Sequence, residues 1–322
     1  MRRREFIAGC CASAAWSLIA RAQPQPRTYR VGLLASRPIG DSEERRIAIR
    51  EVLAEQGFVE GRNLLFEPRW GNSLSENVEA LKAARVDVII TFGYPPALAA
   101  KTLAKDIPIV CTGAGDPVAT GLAQSLARPG GNLTGVTELA AELSAKRLEF
   151  LKEAVPNLKK AAMLFNAADL GMTLRSRAAE AAAKVLNVSV QSLGVREPSD
   201  FGNAFAEMTR SPPDAILMVS DTLTGLNRKL VMEFAANNRL PAMYEFGFLV
   251  RDGGLMSYGP NLRETGKIVG DLVARILRGA RPADLPLEQP THFEFIVNLK
   301  TAKNIGFIFP PALLARADEA IE

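Results

Sequence analysis

Seven short apolar runs in this 322-residue chain end in residues that could meet a ligand. The ends are Ser36, Gly93-Tyr94-Pro95, Thr112-Gly113 followed by Asp116, Asn166, Asp221-Thr222, Tyr244-Glu245 and Tyr258. In open α/β sheets the ligand lies beyond the carboxyl ends of the strands, beside helix N-termini. Backbone N–H groups around Gly93 to Ala97 and Thr112 to Gly115 suit a carboxylate. Asp116, Asp221 or Glu245 suit an ammonium group. Tyr94, Tyr244 and Tyr258, with Phe92, Phe246 and Phe248, could supply flat apolar walls. Strand ends carry polar and glycine residues for turns in any case, so structural duty competes equally at each position taken alone.

Residues for bond-making chemistry are sparse. His292 is the only histidine, and it follows a proline-rich stretch rather than a strand end. A multi-histidine metal site is therefore excluded, and histidine acid–base catalysis is disfavoured. No Walker A loop and no G-x-S-x-G elbow occurs. Gly113-Ala114-Gly115 lacks the third glycine of a dinucleotide fingerprint, because position 118 is valine. No cofactor is expected. Hydrolysis by carboxylates alone, at Asp116, Asp221 or Glu245, stays open at this point.

The elements that must position these residues are written twice. Tyr29 to Ser36 answers to Lys160 to Asn166, Val86 to Gly93 to Pro213 to Asp221, and Asp106 to Val110 to Arg239 to Met243. Offsets from Val31 to Ala162, Asp87 to Asp214 and Pro108 to Pro241 are 131, 127 and 133 residues. Ser36 and Asn166 close one matched pair of strands, and Gly93 and Asp221 close another. Apolar strands alternating with helical patterns predict two Rossmann-like α/β lobes with parallel sheets and a cleft between them. Asp87 and Asp214 precede their strands, away from the cleft, and read as turn residues. Arg128 to Asn132 reads as a glycine turn. Ser73 with Glu76 forms a capping-box pattern, and Val269, Leu272, Val273, Ile276 and Leu277 mark an amphipathic helix. Pro282 to Pro290 reads as a linker, and Phe293 to Leu299 as an alternating edge strand.

Hydrophobic residues make up 48% and charged residues 23%, the balance of a folded soluble chain, which excludes disorder and collagen-like structure. Arg2-Arg3-Arg4, an apolar Ile7 to Ala20 and Ala20-Arg21-Ala22 give residues 1–22 the form of a removable export signal, twin-arginine-like in Arg3-Arg4-Glu5-Phe6-Ile7. Without them the net charge falls from +4 to +1, so nothing points to nucleic acid or an anionic membrane. Cys111 then stands alone in an apolar strand and reads as a buried small residue.

Several longer motifs carry a resemblance to a known family. They are Arg69-Trp70, Val86 to Thr91, Gly115 to Leu122, Leu126 to Gly135, Gly254 to Asn261, Ala280 to Pro286 and Asn298 to Lys303. In this order they resemble the tryptophan/tyrosine-type branch of ABC transporter substrate-binding proteins, over essentially all of the chain after the leader. The resemblance implies a type I periplasmic binding protein fold with a hinged cleft. It places lobe one at 28–138 plus 259–284 and lobe two at 139–258 plus 285–322. It also implies a periplasmic monomer, working with an ABC permease and a cytoplasmic ATPase, that captures an amino acid or related carboxylate. A ligand-sensing subunit for a membrane receptor has the same sequence character and is the alternative.

Overall fold

The computed structural model describes residues 27–36, 43–71, 73–137 and 140–322, so the leader lies outside it. The strands β1 (Tyr29–Ala35), β2 (Leu64–Arg69), β3 (Val88–Phe92), β4 (Ile109–Thr112) and β5 (Leu133–Gly135) form one parallel sheet, ordered β2-β1-β3-β4-β5. The strands β6 (Lys160–Asn166), β7 (Ser189–Val195), β8 (Ala215–Met218), β9 (Ala242–Tyr244) and β10 (Met256–Pro260) repeat that order as β7-β6-β8-β9-β10, again parallel. The written duplication is thus a duplication of topology.

In lobe one, α1 (Glu43–Glu55), α2 (Leu74–Ala83) and α3 (Tyr94–Leu103) join the strands. In lobe two, α4 (Ala140–Ala154) leads into the sheet, and α5 (Leu170–Val185), α6 (Asp200–Arg210), α7 (Thr222–Leu226), α8 (Arg228–Asn237) and α9 (Gly247–Arg251) connect it. The helix α10 (Leu262–Leu277) returns to lobe one, and α11 (Leu299–Ile305) and α12 (Pro311–Leu314) finish on lobe two.

Each sheet is covered on both faces, as its continuous apolar runs require. Alternate residues of β1 serve opposite cores: Val31 and Leu33 pack with α1 and α10, while Leu34 packs with α2 and α3. In lobe two, Met163 and Leu217 lie in one core, and Ala162, Leu164 and Ile216 in the other. Gly266 and Gly270 let α10 lie directly on α1. A methyl at Gly266 would come within 2.5 Å of the Arg45 carbonyl. The capping box at Ser73 and Glu76 forms as its spacing predicts.

The two aspartates read as turn residues have matched structural roles. Asp87 accepts the Arg30 N–H at 2.7 Å, and Asp214 accepts the Lys160 N–H at 2.8 Å. Each carboxylate clasps the starts of two neighbouring strands, at the end opposite the cleft. Gly130 and Gly131 have φ of +74° and +64° in the Arg128 to Asn132 turn, which binds back onto its own lobe through Asn132.

Three details differ from expectation. The strand β11 (Phe293–Asn298) is internal, antiparallel to β10 and parallel to β12 (Glu319–Ile321). Three residues of β12 gave too little pattern to reveal the strand that covers this edge. The stretch from Pro282 is a strap rather than a free linker: Leu285 and Leu287 are buried in lobe one, and Thr134 Oγ1 donates to the Leu285 carbonyl. Thr137 N–H donates to the Glu288 carbonyl, so lobe-one contacts continue past 284 to Glu288. All of β10 through Pro260 pairs within the lobe-two sheet, which moves that crossing past 259. No helix among the described residues is long and apolar enough to cross a membrane.

Candidate ligand cleft between the lobes

A cavity of about 280 Å³ opens between the carboxyl ends of the two sheets. Lobe one contributes Ser36, Phe92, Gly93, Pro95 and Gly113, and lobe two contributes Asn166, Asp169, Ser220, Asp221, Thr222, Phe246 and Phe248. All four residues singled out as matched strand ends therefore face one space. The reason is geometric: two sheets of the same order, set with their carboxyl ends toward each other, bring equivalent loops together.

The polar wall is built on lobe two. Asn166 ends β6, and its Nδ2 donates to Asp221 Oδ2 at 2.5 Å across the gap to β8. Asp221 caps α7, with Oδ1 accepting from Thr224 N–H at 2.9 Å. Asp169 caps α5 and accepts from Met172 N–H at 3.2 Å. Burial pushes the Asp169 carboxyl up to about 6, and the neighbouring Asp221 charge adds to the rise. The Met172 N–H and the Arg175 charge oppose it. Ser220 is 6% exposed, and its hydroxyl has no hydrogen-bond partner among the described residues. Arg196 lines the same cavity, and its guanidinium makes no hydrogen bond or ion pair among the described residues. The apolar wall comes from Phe92 and from Phe246 and Phe248, whose rings stack at 6.0 Å.

Other sequence candidates do not line this space. Tyr244 is 1% exposed in the lobe-two core, where burial raises its hydroxyl pKa. Tyr258 packs on Phe150 with ring centroids 4.7 Å apart and the planes tilted by 40°, and Tyr94 packs, partly buried, against the lobe-one core. Phenylalanines, not tyrosines, form the walls, because the tyrosine rings pack beneath the surface. Glu245 is 1% exposed, held by Arg147 at 2.9 Å and Arg175 at 2.8 Å, so it is not a receiver for an ammonium group. Asp116 accepts from Val118 and Ala119 N–H on the exposed loop after β4, the turn that Pro117 begins. Thr112 is wholly buried beside the cleft.

At the start of α3 the backbone donors are fewer than the spacing suggested. Gly93 N–H is spent on the Thr112 carbonyl, Ala97 N–H on the Gly93 carbonyl, and Pro95 and Pro96 have none, which leaves Tyr94. Gly93 itself has φ +98° and ψ 167°, a region open almost only to glycine. Gly93→Trp is expected to fill the cleft and abolish ligand binding. It should also cost the fold about 1–3 kcal/mol through backbone strain, read by thermal unfolding.

Asp169, Arg196, Ser220, Arg45 and Leu262 escaped sequence reasoning. Asp169 and Arg196 had a usable signal, since one caps the helix after β6 and the other directly follows β7. Arg45 and Leu262 come from α1 and α10, where no strand-end rule applies.

The lobes also touch beside the cleft. The site of a Cβ on Gly171, in the first turn of α5, lies 3.3 Å from the Ala114 carbonyl and 3.6 Å from Tyr94 Cβ. The site of a Cβ on Gly115 lies 3.5 Å from the Gly171 Cα. Backbone meets backbone there, so Gly171→Val is expected to hold the lobes apart. The steric cost of about 1–3 kcal/mol corresponds to roughly five- to hundredfold weaker ligand binding, with a larger radius of gyration by X-ray scattering.

The family model for ABC transporter substrate binding proteins matches residues 40–321. The chain belongs to that family. A tyrosine-binding protein of Clostridioides difficile (strain R20291) is 26% identical to this substrate-binding protein over 257 residues, 79% of this chain and 74% of the relative. A conserved domain protein from Vibrio cholerae has the same fold, with TM-score 0.86 and 24% identity over 91% of this chain and 100% of that one. So does an ABC domain from Streptococcus pneumoniae in complex with L-Trp, at TM-score 0.83 and 23% identity, with the same coverage of 91% and 100%. The architecture is that of the type I periplasmic binding proteins. Substrate-binding proteins of this kind take small molecules and work with ABC transporters.

Proposed function

We propose that this substrate-binding protein captures an amino acid in the periplasm, with an aromatic side chain preferred, and delivers it to an ABC importer. The observation that carries the reading is the cavity itself. Asp221, Phe92, Phe246 and Phe248 all line it, with contributions from both lobes. Asp221 would receive the ammonium group, Arg196 would hold the carboxylate, and the phenylalanine rings would flank the side chain. Closure follows because the closed form offers the ligand contacts from two lobes at once. The relatives named for tyrosine and crystallised with L-Trp support the aromatic preference. The arginine-rich leader supports export, and a permease with its ATPase would be the partners of a monomeric binding protein. Capture needs no bond to break.

Calorimetric titration of the protein lacking residues 1–22 tests this. L-tyrosine, L-tryptophan and L-phenylalanine should saturate one site with a negative heat-capacity change. The bound amino acid should be recovered unaltered after hours. Absence of saturable binding across amino acids and simple carboxylates would end the capture reading, and turnover would replace it with hydrolysis.

A further inference from the structure

We propose that Ser220 and Asp169 complete an amine seat around Asp221, and that a ligand's ammonium group enters it in exchange for a proton on Asp169. The proposal rests on the amino-acid reading of the cleft and names what selects an amine over a plain carboxylate.

Three observations converge on one wall. Ser220 and Asp221 are consecutive at the end of β8, and Asp169 caps the helix after neighbouring β6, so three polar side chains border one cavity. Ser220 is more than nine-tenths buried and lines the cavity, and its hydroxyl has no partner among the described residues. Burial without a partner is costly for a hydroxyl, and a donor or acceptor brought by a ligand removes that cost. Asp169 is 4% exposed and lies in the field of a second carboxylate, Asp221.

The charged and titratable surroundings of Asp169 are few. Asp221 faces it from the end of β8, and Arg175 from its own helix, engaged by Glu245. Tyr94 reaches the first turn of α5 from lobe one. Arg196 and Arg45 border the cavity. Burial, with the neighbouring Asp221 charge adding to it, pushes the Asp169 carboxyl up to about 6. An ammonium group changes that balance. It supplies positive charge next to both carboxylates, favours the ionised form of Asp169, and Asp169 gives its proton to solvent. The exchange is R–NH₃⁺ into the cleft and H⁺ out, with no covalent change. A ligand without the amine gives Asp169 no reason to ionise and leaves Ser220 and Asp221 unmatched.

Linkage fixes the sign. Binding prefers ionised Asp169, so affinity rises with pH up to about 6 and then levels. Between pH 7 and pH 5 it should weaken about tenfold, with about half a proton released per ligand at pH 6 and almost none at pH 8. Calorimetry with L-tryptophan at pH 5, 6 and 8, in buffers of different ionisation enthalpy, reads the proton count directly. Indole-3-propionate, which lacks the amine, is the comparison probe. Asp169→Asn keeps a side chain able to cap α5 and should bind L-tryptophan with no proton release and a flat profile over pH 5–8. Ser220→Ala should bind about ten- to hundredfold more weakly with an unchanged proton count.

Binding of L-tryptophan with no proton exchange, or an unchanged pH profile in Asp169→Asn, overturns the proposal and leaves the amino-acid reading intact. Indole-3-propionate binding as tightly as L-tryptophan overturns the amine seat. Failure of L-tryptophan, L-tyrosine and L-phenylalanine to bind at any pH removes the amino-acid reading and this proposal with it.

Discussion

Asp221→Asn is expected to weaken amino-acid binding by about 2–5 kcal/mol, from roughly thirtyfold to several thousandfold, while the fold stays intact. Asparagine caps helices about as well as aspartate, so the bond from Thr224 N–H can persist and α7 should still form. What disappears is the negative charge that faces the cleft. A seated ammonium group would lose its counter-charge in a space closed from water by both lobes. Titration of the variant with L-tryptophan at pH 7.5, beside a thermal melt, separates the two effects. Wild-type affinity would show that the ammonium group lies elsewhere.

Glu245→Ala should act on the fold instead. Arg147, Glu245 and Arg175 are each no more than 3% exposed, and Arg147 also donates from Nε to the Tyr258 carbonyl at 2.6 Å. Removing the carboxylate takes from two buried guanidinium groups the counter-charge they share, at a cost of about 3–5 kcal/mol. A fall in melting temperature of roughly 6–20 °C follows for a unit of this size. The Arg175 Nε lies 3.8 Å from the Cβ site of Gly115, so the lobe contact should loosen too, and ligand affinity should fall as a secondary effect. Glu245→Gln keeps the shape and isolates the charge. A melting temperature within 2 °C of wild type in Glu245→Ala would mean that solvent or a relaxed arginine replaces the carboxylate.

The pair of predictions marks a division that strand-end reasoning does not draw. Asp221 and Glu245 both follow a lobe-two strand and were equal candidates for an ammonium group. One lies in the cleft and the other in the core, because β9 ends beneath α4 and α5, whose arginines take its glutamate. Those arginines lie 98 and 70 residues away in sequence, which no local pattern relates to Glu245. Tyr244 and Tyr258 were candidate walls for the same reason, but Tyr258 packs on Phe150 of α4 and Tyr244 lies in the core on the opposite face of the sheet, with Phe201 and Leu249. Phe246 and Phe248, just past β9, reach the cavity instead.

Asn166 and Asp221 were legible as a matched pair but not as a bonded one. Their side chains meet because β6 and β8 are neighbours, and neighbouring strands need not be consecutive in the chain. Ser220 lay at the same strand end as Asp221 but was passed over. A serine beside an aspartate reads as helix-capping chemistry until the cavity beside its hydroxyl is seen.

The sequence by itself determined the two lobes, their matched succession of strands and helices along the chain, and the position of the cleft. Each follows from the period of apolar residues and the breaks that end it, which are local and written twice. Tertiary structure alone decided which polar strand ends face ligand and which face protein. That choice depends on what packs over each strand end, and the covering residues come from distant segments. Charge in the cleft is settled the same way, since burial and neighbours, not residue type, distinguish Asp169 and Asp221 from Glu245.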